Sequence, residues 1–257
     1  MIQLYIAIRK VHTLQLLKVS PPNVKLKQLI YSHNYYVESV SLLSGHACPY
    51  ALKCLAKVHK VTRKLVDGKH AEHRCYSGSN EASFPTVFNA RKYNTDLLQA
   101  CKTEDEIYQL LDFSIRKSFD PLRIHIGGDF YNQRYFDAWL RFASDNPYRI
   151  FYAYTKSLPY WINRLGEIPS NFSLTASYGG RADNLIDRYN LKTAYVVNHP
   201  DEAERLQLEI DHDDSHAIAN DGKSFALLLH GTQKANTKSA EAIKRMNDEN
   251  INYRYSA

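Results

Sequence analysis

The 257-residue chain has no apolar run approaching the roughly twenty residues that a membrane-spanning helix requires, so bilayer insertion is not expected. It also lacks the pattern of a secretory signal. Residues 1–8 are a short apolar stretch followed by Arg9 and Lys10, and residues 11–19 are interrupted by His12, Thr13, Gln15 and Lys18. A cytoplasmic location is the expectation. The glycines form neither Gly-x-Gly-x-x-Gly nor a phosphate loop, which argues against dinucleotide-binding and nucleoside-triphosphatase folds. Cysteine is scarce, with four in all. A core of this size needs no disulfides, and in a reducing compartment grouped cysteines point to metal or catalysis first.

Three of those cysteines, Cys48, Cys54 and Cys75, lie close together in a stretch that also holds His46, His59, His70 and His73. The spacing is not the Cys-x-x-Cys knuckle of a zinc ribbon. A four-cysteine zinc site would need Cys101, whereas a three-cysteine zinc site would take His46 or His73. A 4Fe-4S cluster tolerates varied spacing and can be held by three cysteines, which leaves one iron for another ligand. Ordinary buried cysteines are the bland alternative. Residues 49–66 read as a helix carrying Cys54, with Leu52, Leu55 and Ala56 set among Lys53, Lys57 and Lys60.

The net charge of +6 and pI near 9.0 permit a nucleic-acid partner without demanding one. The one basic stretch comprises Lys53, Lys57, Lys60, Arg63, Lys64 and Lys69. It reads as a solvated face before a nucleic-acid groove, and its charge is expected to favour thiolates nearby.

From residue 122 onward, short β-rich runs at 123–126, 149–154, 172–176, 193–197 and 225–229 alternate with helical patterns. That alternation predicts an α/β fold, either a parallel sheet with crossover helices or a partial (β/α) barrel. Residues 104–117 have the pattern of an amphipathic helix, and 26–40 fit helix or strand. A single domain is expected over 1–257. It would comprise an N-terminal metal-binding segment of helix and loop (1–120), repeated β–α units (121–235) and a peripheral tail (236–257).

Polar residues follow each of the five strands, on the side where parallel α/β folds bind ligands. Gly127, Gly128, Asp129, Lys156, Ser177 and Arg181 are therefore candidate cofactor-binding residues. Lys156 and Arg181 suit an anionic group. Residues 211–216 carry His212, His216 and three aspartates, a set fit for a divalent metal or for capping in a solvated loop. His216 joins the candidate set.

Six ordered stretches resemble a phage family labelled gene product 88. They are Ser44-Gly45-His46-Ala47-Cys48-Pro49, Cys54-Leu55-Ala56-Lys57, Arg74-Cys75-Tyr76-Ser77, residues 123–130, residues 152–157 and residues 211–216. The resemblance implies a phage protein working in the cytoplasm of an infected bacterium, with Cys48, Cys54 and Cys75 as the family-like cysteines. A weaker resemblance, to radical S-adenosylmethionine enzymes, rests on Gly127-Gly128-Asp129, which is similar to their Gly-Gly-Glu-like strand end. It implies a partial barrel and a three-cysteine 4Fe-4S cluster, with Ser177 to Arg181 serving a carboxylate or ribose. The chain departs from the tight Cys-x-x-x-Cys-x-x-Cys loop of those enzymes. Taken together, the expectation is a phage-encoded 4Fe-4S protein with an open iron site for a small molecule or a redox partner. The alternatives are a zinc-stapled nucleic-acid-binding or regulatory protein and a zinc-dependent hydrolase.

Overall fold

The computed structural model describes residues 15–251. β1 (Val19–Ser20) leads into α1 (Val24–His33), where the Asn23 side chain accepts the Leu26 N–H at one end and Asn34 turns left-handed at the other. The ambiguous stretch 26–40 thus divides into α1 and β2 (Glu38–Val40).

The helix expected over 49–66 does not form. A hairpin of β3 (Ala56–Val58) and β4 (Leu65–Asp67) takes its place. Along β3 the side chains alternate, with Ala56 and Val58 buried and Lys57 exposed, which is a period of two. Val58, Val61, Thr62 and Val66 lose rotamer freedom in a helix, and Arg63 takes a positive φ of 63° at the turn.

Three helices follow: α2 (Tyr76–Ser83), α3 (Pro85–Ala100) and α4 (Glu104–Ser114). The last is the expected amphipathic helix. Thr103 accepts the Glu106 N–H, and Glu104, Asp105 and Glu106 meet the positive end of its dipole. The repeated units are β5 (Leu122–Ile124), α5 (Gln133–Ser144), β6 (Phe151–Thr155), α6 (Leu158–Ile162), β7 (Phe172–Ser177), α7 (Asn184–Tyr189), β8 (Thr193–Val197), α8 (Pro200–Arg205), α9 (Ser215–Ile218) and β9 (Phe225–Leu228). All five expected strands are present.

The strands form a seven-stranded sheet in the order β1-β2-β5-β6-β7-β8-β9, parallel throughout except for β1. From β2 onward spatial order follows chain order, with no reversal. A parallel bridge from Ile210 to Ala226 closes the far edge. Side chains alternate across the sheet. Ile124, Phe151, Ala153, Phe172 and Leu174 pack with Phe136, Trp139 and Phe142 of α5 in the main core. Tyr152, by contrast, belongs to a second core with Leu26, Leu29, Ala217 and Phe225, so α1 and α9 cover the other face.

The tail expected to be peripheral is not. α10 (Lys238–Asp248) buries Met246 completely, in a cluster with Val197, Ala203, Ala226 and Leu228. Ser239 Oγ also donates to the Glu72 carbonyl at 2.7 Å. The tail's last six residues, 252–257, lie outside the described residues.

Candidate thiol site at the strand ends

The loop leaving β2 carries Cys48, and a buried ion pair fixes its start. Glu81 of α2, fully buried, accepts the Ser44 N–H at 3.0 Å, the Ser44 hydroxyl at 2.8 Å and Arg91 Nη1 at 2.9 Å. Arg91 of α3 also donates to Ser77 Oγ at 2.5 Å, so one carboxylate and one guanidinium join the Cys48 loop to the helix that begins after Cys75. Gly127 fits between them because it has no side chain. A Cβ there would lie 2.2 Å from Ser77 Oγ, 2.9 Å from Arg91 Nη1 and 3.0 Å from Ser44 Oγ. Gly128 differs in needing its positive φ of 88°, and a Cβ on it would meet Leu42 Cβ at 2.5 Å.

The segment from Cys48 to Cys54 is tied to the end of β7. Lys53 donates its N–H to the Gly179 carbonyl at 2.9 Å, and Arg181 donates its own to the Tyr50 carbonyl at 2.9 Å. The three cysteines are half-buried, free of disulfides, and line one cavity of about 200 Å³. The strand ends complete its wall: Gly127, Gly128 and Asp129 after β5, Lys156 after β6, Ser177 closing β7 and His230 after β9. His73 lines it as well, whereas His46 turns its Nε2 to the Val58 carbonyl at 2.8 Å.

Five of the seven candidate cofactor-binding residues therefore meet the three cysteines. Arg181 and His216 stand outside this cavity. Arg181 is exposed, and His216 lies on α9 beside Glu209 at 2.9 Å and Asp211 at 3.5 Å. Lys156 is present but engaged: its ammonium donates to the Ser177 carbonyl, Ser177 Oγ and the Tyr178 carbonyl at 2.6–2.9 Å. It braces two strand ends, with its three N–H groups used inside the chain, so it is not aimed at an anion. Asp129 does similar work, accepting Thr155 Oγ1 at 2.6 Å and the N–H groups of Phe130 and Lys156 at 2.7 and 2.9 Å. Burial pushes its carboxyl up to about 6 against those bonds.

Two of the thiols, those of Cys48 and Cys75, resist ionisation. Burial raises Cys48 well above the ordinary cysteine range, and the charges of Asp129 and Cys75 add to it. Burial followed by the charge of Cys54 pushes Cys75 up to about 11. The expectation that nearby basic residues favour thiolates is thus reversed for these two. Three of the six bases are engaged elsewhere: Lys53 pairs with Glu72 at 3.1 Å, Lys60 with Asp96 at 3.8 Å, and Arg63 stacks on Phe88 at 3.6 Å.

Residues 211–216 are structural. Asp214 is fully buried, pairs with Lys25 at 2.6 Å and with Arg123, and accepts the hydroxyls of Tyr152 and Tyr154 at 3.1 Å each. Asp211 accepts the N–H groups of Asp213 and Asp214 at 3.3 and 3.0 Å, which folds the loop ahead of α9, while Asp214 at the helix start makes no side-chain capping bond. Among the described residues, no three His, Cys, Asp or Glu side chains are gathered as a single metal ion requires. His125 escapes sequence reasoning altogether. It lines the cavity with a positive φ of 70°, is 3% exposed, and bonds Tyr135 through Nε2 at 3.0 Å while Nδ1 has no partner among the described residues.

Comparison with known proteins finds the family described as Gene product 88, whose model matches residues 14–248. The Gene 88 protein of Mycobacterium phage L5 is 31% identical over 128 residues, covering 46% of this chain and 47% of that protein. The chain spans about half the length of that curated relative. No solved structure matches.

Proposed function

The chain belongs to the gene product 88 family of phage proteins, and on that premise we propose that it is an iron–sulfur protein holding a 4Fe-4S cluster through Cys48, Cys54 and Cys75. One observation carries the reading: three thiols from separate segments line one cavity above the ends of parallel strands. Left without a cation, the charges of these cysteines oppose one another, and positive iron among them would remove that penalty.

Three thiols borne on separate segments suit a cluster. Zinc bound at about 2.3 Å from each sulfur draws its thiolates to within about 4 Å of one another, and no such single-ion group is formed among the described residues. In a cluster, each thiolate meets its own iron, so the sulfurs approach from different sides. When bound, the cluster supplies electron transfer or Lewis acidity at an iron that no cysteine holds. The chain's part is to tie the Cys48 loop to the helix after Cys75 through the Glu81–Arg91 pair, to brace the strand ends through Asp129 and Lys156, and to line the cavity with His73 and His230.

The unreversed strand order supports a partial (β/α) barrel, since each crossover advances the sheet in one direction. A location in the cytoplasm of the infected cell belongs to the same reading. A nucleic-acid face has less support, because Lys53, Lys60 and Arg63 of the basic stretch are engaged within the chain.

The test is anaerobic purification with iron, sulfide and zinc analysis, comparing wild type with Cys48→Ala, Cys54→Ala and Cys75→Ala. About four irons and four sulfides, with a broad absorbance near about 400 nm lost in each variant, is the expected result. Stoichiometric zinc without sulfide would overturn the proposal.

A further inference from the structure

Beside the thiol cavity lies a larger one of about 660 Å³, a volume in the range of small-molecule pockets. Cys75, Tyr76, Ser77, Arg123, Ile126 and Tyr154 line both, so the two adjoin. Val24, Leu227 and Ile243 give the larger cavity apolar walls. Lys25 and Arg123 face it, sharing the carboxylate of Asp214, with Asp211 lying 3.8 Å from Lys25.

Arg123 is the telling group. It spends Nη1 on Asp214 and Nε on the His125 carbonyl at 3.4 Å, and its guanidinium lies 4.9 Å above the Tyr154 ring. Its second terminal nitrogen, Nη2, has no partner among the described residues. A guanidinium held over a ring, charged at any ordinary pH and with one terminal nitrogen unshared, is built to receive a carboxylate or phosphate. The neighbouring starts of α1 at Val24 and α2 at Tyr76 add positive potential to the same rim.

We propose that this cavity binds a small organic anion, its charged group on the unshared nitrogen of Arg123 and its apolar body against Val24, Leu227 and Ile243. Binding stands on the cavity alone. That the bound molecule is a substrate presented to Cys75 rests on the thiol-site reading above.

The probe is 8-anilinonaphthalene-1-sulfonate, an apolar anion that fluoresces when bound, titrated into the intact protein beside its neutral counterpart N-phenyl-1-naphthylamine. One saturable site is expected. Arg123→Lys keeps a cation for Asp214 but removes the spare nitrogen, and should weaken the anion roughly tenfold, as for one charged hydrogen bond, while leaving the neutral dye unchanged. Ile243→Trp, on a half-buried position of α10, fills the cavity and should abolish both; circular dichroism confirms that each variant is folded. Decanoate and decyl phosphate then compete, and the stronger competitor identifies the anionic group. The proposal is overturned if Ile243→Trp still binds the anion, if Arg123→Lys affects both dyes alike, or if neither competitor displaces the probe. Iron and sulfide measured on the same samples separate the two readings, because dye binding without a cluster sinks only the cluster, and a cluster without dye binding sinks only this pocket.

Discussion

Replacing Gly127 with alanine tests how the thiol site is held. The new methyl would sit 2.2 Å from Ser77 Oγ, far inside contact distance, and 2.9 Å from Arg91 Nη1. The backbone at Gly127 has no positive φ, so the alanine itself is not conformationally strained. Relief comes most readily by turning the Ser77 hydroxyl away, which gives up its 2.5 Å bond from Arg91. Arg91 is 8% exposed and keeps Glu81 Oε1 and the Ser77 carbonyl, so one charge-assisted bond is lost, worth about 1.5–3 kcal/mol. Residual crowding against Arg91 adds about 1 kcal/mol. The expected loss is therefore about 2.5–4 kcal/mol in urea unfolding. A double-mutant cycle gives the sharper test, because Ser77→Ala removes the nearest clashing atom along with the bond. Gly127→Ala should cost at least about 1 kcal/mol less in the Ser77→Ala background than in wild type. Strict additivity of the two changes would refute the clamp as the reason for a glycine here.

Asp214 governs the acid limb of stability. Burial alone would raise its carboxyl, but Arg123 and Lys25 outweigh burial and hold it well below the usual carboxylate range. A depressed folded value means that the contribution is present above the unfolded value of about 3.9 and is lost as pH falls below it. Thermal unfolding between pH 2 and 7 should show that loss, and Asp214→Asn should flatten it while costing about 3–5 kcal/mol at neutral pH, since the fully buried carboxylate shared by two cations is lost. A steep acid limb retained in the variant would assign it elsewhere. Trp139→Ala, which empties the most voluminous fully buried side chain under the sheet, should cost about 3–5 kcal/mol in the same urea assay, and a loss below about 1 kcal/mol would remove α5 from the core.

The strands after residue 121 were legible because buried parallel strands read as short apolar runs, and α5 because Phe136, Trp139 and Phe142 recur at helical spacing. The meeting of the cysteines with Gly127, Gly128, Asp129, Lys156 and Ser177 followed from strand ends sharing one side of the sheet. The hairpin of β3 and β4 was hidden because three residues of alternation, Ala56 to Val58, fit both periods, and the lysines around them are good helix formers. α10 was hidden because its apolar contacts, Ala242, Ile243 and Met246, are few among charges. The partners of Asp214 were illegible for another reason: Lys25 and Arg123 are distant in sequence, and only the folded sheet brings them to it. His46 and His73 flank the cysteines equally well in the sequence, and the chain turns only the second toward them.

Both margins of the seven-stranded sheet are blunt. On one side a two-residue strand, β1, runs against the rest, and on the other a lone bridge at Ile210 occupies the ladder beside β9. Among the described residues, neither margin presents a long row of unpaired amides and carbonyls, which is the template on which sheets of separate molecules zip together. Self-association by strand addition would first require β1 or the Ile210 bridge to peel away, so the chain carries its own protection against that route to aggregation.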